Sequence, residues 1–255
     1  MLFDTHAHYD DEKFDDDRYE AIERAYRSGV HYIINASSDL NSAVKSIALA
    51  ERFEFVYAAV GIHPHSAGEI TEETLSNIAQ MAAGRKVVAI GEIGLDYHYD
   101  FSPRDVQKEA FAAQIGLAKK LGLPIIVHNR DSHEDVMSII KAEGAREVGG
   151  VFHCYSGSAE MARELLNNNF YISIGGPVTF KNARKIVEVL KYVPDDRLLV
   201  ETDCPYLAPE PLRGKRNESS YIRYVVQKIA EIKGTDFEKI ARITTENAKR
   251  LFRIS

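Results

Sequence analysis

The chain has 255 residues, of which 45% are apolar, and it carries 32 Lys and Arg against 38 Asp and Glu, for a formal net charge of -6. This apolar content excludes a disordered tail protein, and the negative balance argues against a protein that holds nucleic acid along clustered Lys and Arg side chains. The sequence contains two cysteines, which is too few for a disulfide framework or a cysteine-rich zinc site.

Short apolar runs rich in Val, Ile, Tyr and Phe alternate with segments of helical periodicity from one end of the sequence to the other. In chain order, the apolar runs predict eight strands, at residues 2–8, 31–35, 56–62, 87–92, 124–128, 151–153, 171–174 and 198–203. The helical segments predict nine helices, at residues 18–28, 41–53, 72–80, 103–121, 132–142, 159–167, 181–191, 221–233 and 237–251. Eight strand and helix units are thus followed by one additional helix.

This alternation predicts the fold class. A strand that returns parallel to its neighbour requires a crossover, so repeated strand and helix units indicate a parallel sheet. Eight units in about 250 residues is the usual size of a (β/α)8 barrel. The alternative, an open doubly wound sheet, would normally carry a glycine-rich phosphate loop after its first strand, where this sequence has Thr5 to Tyr9. We therefore predict an α/β protein, a (β/α)8 TIM barrel with an additional C-terminal helix, formed by residues 1–255 as one domain.

Residue types that bind metals stand at the ends of five predicted strands. In the first strand, His6 and His8 are two residues apart, so both imidazoles leave the same face of an extended chain. The fourth, fifth, sixth and eighth strands end in Glu92, His128, His153 and Asp203. The carboxyl ends of barrel strands open onto one face, so we expect these side chains to form one site. For each residue taken singly, an ordinary buried or exposed side chain is the alternative.

The number of these side chains predicts two metal ions. Four imidazoles and two carboxylates exceed what one tetrahedral catalytic ion needs, which is usually three protein ligands and a water. Glu92 is the candidate bridge, because a carboxylate has two oxygens to offer. We assign one ion to His6, His8, Asp203 and Glu92, and the other to Glu92, His128 and His153.

Six motifs resemble the series found in the TatD family of metal-dependent deoxyribonucleases: DTHAH (4–8), GIHPH (61–65), GEIGLDY (91–97), HNRD (128–131), FHCYSG (152–157) and ETDCPYL (201–207). The resemblance runs from Asp4 to beyond Asn217. It implies a TIM barrel of the amidohydrolase superfamily, two divalent cations on the same six positions, and phosphodiester hydrolysis. Two departures, Ser219-Ser220 where relatives often carry proline and Cys204 where serine or alanine is common, concern a loop and leave the metal site untouched.

Three residues are predicted to act in catalysis: Asp203, Glu92 and His63. Asp203 is the candidate general base, with a role as ligand only as its alternative. His63 directly follows the third predicted strand and is placed to contact a phosphate oxygen, although a structural histidine is an equal alternative. Asp4 and Glu201 are expected one layer deeper, orienting the ligand imidazoles, and the alternative for both is a structural hydrogen-bond network.

Phosphate binding is predicted to need cations beyond the metals. Arg130 follows His128 by two residues, and Arg213 lies on the loop after the eighth strand. Solvated surface is the alternative for both. Tyr97 and Tyr155 flank ligand-bearing strand ends and are candidates for stacking on a base, but plain packing is the favoured interpretation.

The leading functional hypothesis is a deoxyribonuclease that cleaves single-stranded DNA or DNA ends, because no groove-reading helix is evident. Two alternatives stay open: amide, ester or aminoacyl-tRNA hydrolysis at the same site, and a non-catalytic barrel that binds metal. The imidazole content suits Zn²⁺, Mn²⁺ or Ni²⁺ as the divalent ion, while the resemblance to the TatD nucleases points to Mg²⁺ or Mn²⁺.

The sequence also predicts where the protein acts. It contains no apolar run long enough to span a bilayer and no signal segment at Met1. We therefore expect a cytoplasmic protein with no membrane partner and no obligatory protein partner.

Overall fold

Strands and helices alternate along the chain in the computed structural model, which describes residues 1–255. The strands are β1 (Leu2–Ala7), β2 (Val30–Ala36), β3 (Val56–Val60), β4 (Val87–Asp96), β5 (Ile125–Arg130), β6 (Gly150–Phe152), β7 (Phe170–Ile174) and β8 (Leu198–Val200). The α-helices are α1 (Arg18–Arg27), α2 (Leu40–Arg52), α3 (Glu72–Ala82), α4 (Arg104–Leu121), α5 (His133–Ala142), α6 (Ala159–Asn167), α7 (Arg184–Tyr192), α8 (Ile222–Lys233) and α9 (Phe237–Phe252). None of these helices combines the length and the apolar character needed to cross a membrane.

The strand order confirms the predicted fold class. The eight strands follow one another in the sheet in their order along the chain, from β1 to β8. Neighbouring strands pair in parallel, as in β1 with β2, β4 with β5 and β7 with β8. Eight parallel strands alternating with helices are the TIM-barrel arrangement, and α9 is the additional C-terminal helix.

Strand β4 is longer than the sequence pattern predicted. It continues to Asp96, four residues past the expected end, because Ile93 to Asp96 pair in register with Val127 to Arg130 of β5. Glu92 therefore lies within a strand. In contrast, β6 ends at Phe152 and β8 at Val200, so His153 and Asp203 stand on the segments that follow these strands.

The residues group into two compact units: residues 1–35, 153–166 and 171–255 form the first, and residues 36–152 and 167–170 form the second. In the first unit, the ring of Phe3 on β1 stacks on Tyr32 at 5.1 Å and lies 6.3 Å from Phe252 of α9, so α9 packs against β1. In the second unit, the Gln114 side chain on α4 accepts from the N–H of Ile62 and donates to the carbonyl of Ile62, which fixes the chain just before His63. The expectation of a single domain stays a prediction.

Candidate metal centre

The first cluster of possible metal ligands consists of His6, His8 and Asp203. The Nε2 atoms of His6 and His8 are 3.0 Å apart, and Asp203 Oδ1 lies 3.7 Å from His6 Nε2 and 3.4 Å from His8 Nε2. His6 is fully buried, while 13% of the His8 side chain and 14% of the Asp203 side chain are exposed. Two imidazole nitrogens and one carboxylate oxygen therefore converge at a place that solvent reaches.

Backbone hydrogen bonds between the end of β1 and the segment after β8 assemble this cluster. His8 N donates to the carbonyl of Cys204 at 2.7 Å, and Asp203 N donates to the carbonyl of His6 at 2.9 Å. Burial alone would raise the pKa of Asp203, but hydrogen bonding to His8 and the nearby imidazoles of His153 and His6 lower it below its usual value. Asp203 is therefore a carboxylate at neutral pH.

The other predicted residues of this unit surround the cluster. His153 stacks on His6 with ring centroids 3.9 Å apart, although the sequence interpretation assigned the two to different ions. Glu201 Oε1 lies 3.5 Å from His153 Nδ1 and accepts from Cys154 N at 2.6 Å. Asp4 accepts from the backbone N–H of His6 and from both the N–H and the hydroxyl of Thr202, and burial raises its pKa to about 7. Asp4 thus ties β1 to the segment after β8, and the Glu201 carboxylate lies beside the His153 ring.

The second cluster consists of His63, Glu92 and His128. Glu92 Oε1 lies 2.7 Å from His128 Nδ1 and 3.5 Å from His63 Nε2. Glu92 is 2% exposed. Burial lowers the pKa of His63 to about 4, so its imidazole is neutral at neutral pH despite the nearby carboxylate. His63 was predicted as a phosphate contact, and its position makes it a possible metal ligand as well.

Gly94 allows β4 and β5 to approach closely at this cluster. Its φ is +146°, and a Cβ atom built on it would lie 2.0 Å from the carbonyl oxygen of His128. No side chain fits that distance, and L-residues rarely adopt that φ. The glycine thereby sets the separation between the strand that carries Glu92 and the strand that carries His128.

Asp96 and His65 adjoin the second cluster, and neither is among the predicted site residues. Asp96 Oδ2 lies 3.0 Å from His128 Nε2 and 3.1 Å from His65 Nε2. Burial opposes ionisation of Asp96, but its bonds from His128, from the Tyr99 backbone and from His65 hold its pKa well below the usual range. The sequence carries a signal for Asp96: it lies four residues after Glu92, and alternate residues of a strand share a face.

Comparison with known proteins identifies the chain. The sequence model of the family described as "TatD related DNase" matches residues 3–253. The chain belongs to the TatD family. It is 58% identical over 255 residues to the uncharacterized metal-dependent hydrolase YabD of Bacillus subtilis, with both chains fully covered. It is 34% identical to the 3'-5' ssDNA/RNA exonuclease TatD of Citrobacter rodentium, covering all of this chain and 98% of that one.

Solved structures agree with this assignment. The crystal structure of the TatD homolog YJJV from Escherichia coli superposes with a TM-score of 0.93 at 31% identity, covering all of this chain and 98% of that one. The predicted family and enzyme class are therefore confirmed: the protein is a TatD-family metal-dependent hydrolase, acting on ester bonds.

The side chains of this TatD-family protein fit a divalent cation. Imidazole nitrogen and carboxylate oxygen are the usual ligands of Zn²⁺ and related ions. Bonds of about 2.0–2.1 Å at tetrahedral angles place neighbouring ligand atoms about 3.3 Å apart. The ligand atoms of the first cluster are 3.0 to 3.7 Å apart, so little movement would be needed to close around an ion.

The remaining candidates lie on the surface or are held by packing. Arg130 and Arg213 are exposed, and their guanidinium carbons lie 4.9 Å from the ring centre of Tyr99 and 4.4 Å from that of Phe180. Tyr155 is 3% exposed, and Tyr97 donates its hydroxyl to Asp135 at 2.6 Å with the guanidinium carbon of Arg104 4.2 Å from its ring centre, so packing holds both rings.

Proposed function

We propose that this TatD-family protein is a deoxyribonuclease that hydrolyses phosphodiester bonds of single-stranded DNA or DNA ends with the help of two divalent cations. The observation that carries the proposal is the pair of clusters, one in each compact unit, in which imidazole and carboxylate atoms converge. The exonuclease name of a relative that is 34% identical supports a nucleic-acid substrate.

The proposed ligands are the six residues predicted from the sequence: His6, His8, Glu92, His128, His153 and Asp203. The bridging role of Glu92 stays a prediction that rests on its two oxygens. A pair of bound divalent cations lowers the pKa of a coordinated water and stabilises negative charge on phosphate oxygens. Mg²⁺, Mn²⁺ and Zn²⁺ are the ions to be compared.

Residues of the chain would accept a proton from the attacking water, orient the ligand imidazoles and contact the phosphate. Asp203 is the proposed general base, because neighbouring imidazoles keep its carboxylate ionised and part of the side chain is exposed. His63 is neutral, so it acts as a hydrogen-bond donor or ligand and adds no positive charge. Glu201 and Asp96 orient His153 and His128. Arg130 and Arg213 are the proposed phosphate contacts.

The test uses metal-stripped protein with labelled single-stranded and duplex DNA. Adding Mg²⁺, Mn²⁺ or Zn²⁺ is expected to restore cleavage, and Glu92→Gln is expected to return it to the level of the metal-stripped protein. Glu188→Gln, at an exposed position on α7, is the matched control and is expected to cleave normally. Cleavage that survives both chelation and Glu92→Gln contradicts the proposal. Hydrolysis of amides, carboxylic esters or aminoacyl-tRNA with DNA left intact would favour the alternative substrate class.

A further inference from the structure

The segment between β4 and α4 presents two large aromatic rings to solvent. Tyr99 is 49% exposed and Phe101 is 69% exposed, the highest value among the large apolar side chains. Their rings stack on each other with centroids 5.4 Å apart and an interplanar angle of 22°. Rings left this exposed gain little from burial, so folding alone does not account for a stacked pair at this place.

A cation accompanies the two rings. The guanidinium carbon of Arg130, at the end of β5, lies 4.9 Å from the ring centre of Tyr99. Tyr99, Phe101 and Arg130 together are called the aromatic platform below. The nearby carboxylate of Asp100 is neutralised by Arg104, which donates to it at 2.7 to 3.1 Å. Exposed aromatic faces beside an uncompensated guanidinium match the bases and phosphates of a single strand.

Hydrogen bonds hold the platform in place at both ends of the segment. At the first end, Asp96 Oδ1 accepts from the backbone N–H groups of His98 and Tyr99 at 3.0 and 2.9 Å. At the other end, Gln107 Nε2 donates to the carbonyl of Ser102 at 2.8 Å, and the Ser102 hydroxyl donates to the carbonyl of His65 at 2.9 Å. The rings are therefore oriented before any ligand arrives, which lowers the entropy cost of binding.

His65 connects the platform to the second cluster. Its ring meets Phe101 at 4.8 Å and Tyr99 at 5.4 Å, both edge-on, and its centroid is 6.4 Å from that of His128. Stacked nucleotides advance by about 3.4 Å each along a strand. The ring centre of His65 lies 6.4 Å from that of His128 and 4.8 Å from that of Phe101. The path from His128 through His65 to the platform is thus no longer than about three nucleotides, so one strand can contact both.

We propose that the aromatic platform stacks on an unpaired base of a DNA strand whose scissile phosphate lies at the His63, Glu92 and His128 cluster, with Arg130 on a neighbouring phosphate. The inference rests on the proposed nuclease function and adds a cause of strand preference. Bases in a duplex are stacked on one another and paired, so they do not offer a face to Phe101. A single strand or a frayed end does.

The first experiment measures stacking without relying on cleavage. A single-stranded oligonucleotide with phosphorothioate linkages and one 2-aminopurine is titrated with the metal-loaded full chain. The wild type is expected to quench the 2-aminopurine, and Phe101→Ala and Tyr99→Ala are expected to weaken binding by about 5- to 100-fold and to lose the quenching. Phe101→Trp is expected to retain both.

Tyr192→Ala is the matched control, because Tyr192 is 46% exposed on α7 and is not part of the platform. It is expected to bind and quench like the wild type. If Phe101→Ala and Tyr99→Ala also bind and quench like the wild type, the platform does not stack on bases and the inference is wrong.

The second experiment separates this inference from the proposed function. Cleavage rates are compared for oligonucleotides with normal bases and with abasic sites at the three positions next to the cleaved bond. Wild type is expected to prefer normal bases, and Phe101→Ala is expected to reduce that preference. Cleavage with an unchanged preference overturns the platform and leaves the nuclease intact. Absence of DNA cleavage with every metal overturns the nuclease function, and the quenching titration still decides the platform.

Discussion

The His6, His8 and Asp203 cluster and the His63, Glu92 and His128 cluster use the same ligand types, but different contacts hold their ligands. In the first, backbone hydrogen bonds join the end of β1 to the segment after β8, and one carboxylate faces two imidazoles. In the second, two ligands stand on paired strands, and His128 lies between the carboxylates of Glu92 and Asp96. Carboxylates on both sides of the imidazole therefore orient His128 in the second cluster, while backbone hydrogen bonds position the ligands of the first.

The largest effect is expected at Gly94, where the geometry of the second cluster originates. In Gly94→Ala the new methyl would overlap the carbonyl oxygen of His128, so β4 and β5 must separate. We expect a loss of about 4 kcal/mol or more in the free energy of unfolding, measured by denaturant titration. We also expect the metal content to fall.

Gly116→Ala is the matched control for that substitution. Gly116 lies within α4, and nothing lies within 4 Å of a Cβ atom built on it. Alanine has the higher helix propensity, so this variant is expected to be more stable by about 0.5–1 kcal/mol. If both variants unfold alike, the close approach at Gly94 does not set the cluster's geometry.

The next effect is expected in the first cluster, from Asp203→Asn. The amide keeps the size of the side chain but cannot accept a proton or balance the charge of an ion. We expect kcat on single-stranded DNA to fall by about 10²- to 10⁴-fold, as for loss of a general base, and the metal content to drop by one ion. Asp16→Asn, at an exposed position, serves as the control. Retention of kcat in Asp203→Asn would rule out Asp203 as the base.

A smaller effect is expected when the second cluster keeps its ligands but loses the carboxylate of Asp96, which lies 3.0 Å from His128 Nε2. In Asp96→Asn the group facing His128 Nε2 loses its charge, which we expect to weaken metal binding at this cluster by about 10- to 100-fold in a metal titration. In ¹⁵N spectra of the metal-stripped protein, the tautomer of His128 is expected to become mixed. Asp100→Asn is the control. An unchanged His128 tautomer in Asp96→Asn would mean that Asp96 does not position the ring.

The sequence was sufficient for the fold because the strand and helix periodicities alternate without interruption and each strand carries its own β-branched residues. The limits of β4 were harder to predict. Gly91 and Gly94 weaken the strand pattern after Ile90. Strand β4 nevertheless continues to Asp96 because it pairs with β5, which lies about 30 residues further along the chain. Because the predicted strand ends at Glu92, the four-residue spacing from Glu92 to Asp96 could not be interpreted as a shared strand face.

The six candidate ligands could be proposed from the sequence because metals require particular atoms, and those residue types recur at the predicted strand ends. The aromatic platform could not be found in this way. Tyr97, Tyr99 and Phe101 look alike in a loop sequence, since loop residues have no periodicity that reports exposure. The difference depends on distant partners: Asp135 engages the hydroxyl of Tyr97, while the Asp96 side chain fixes the backbone at Tyr99.

The smallest effect is expected in the first unit, away from its cluster, at Asp17. Arg216, three residues after Arg213, donates to both oxygens of Asp17 at 2.6 and 2.8 Å, and Arg24 adds a third bond at 2.9 Å. These cations, Arg216 foremost, lower the pKa of Asp17 to about 2. The unfolded chain has a pKa of about 3.9 at this group, so its stabilising contribution is complete above pH 5 and is lost as the pH falls towards 2.

Because Asp17 is 31% exposed, we expect Asp17→Asn to cost only about 0.2–1 kcal/mol at pH 7, measured by denaturant titration. The difference from wild type is expected to shrink as the pH approaches 2, since both proteins then carry a neutral group at this position. Metal content at pH 7 should stay unchanged, because the first cluster is held by the backbone bonds of His8 and Asp203 and not by this ion pair. A loss of metal in Asp17→Asn would show that the loop after β8 supports the first cluster in addition to its backbone bonds.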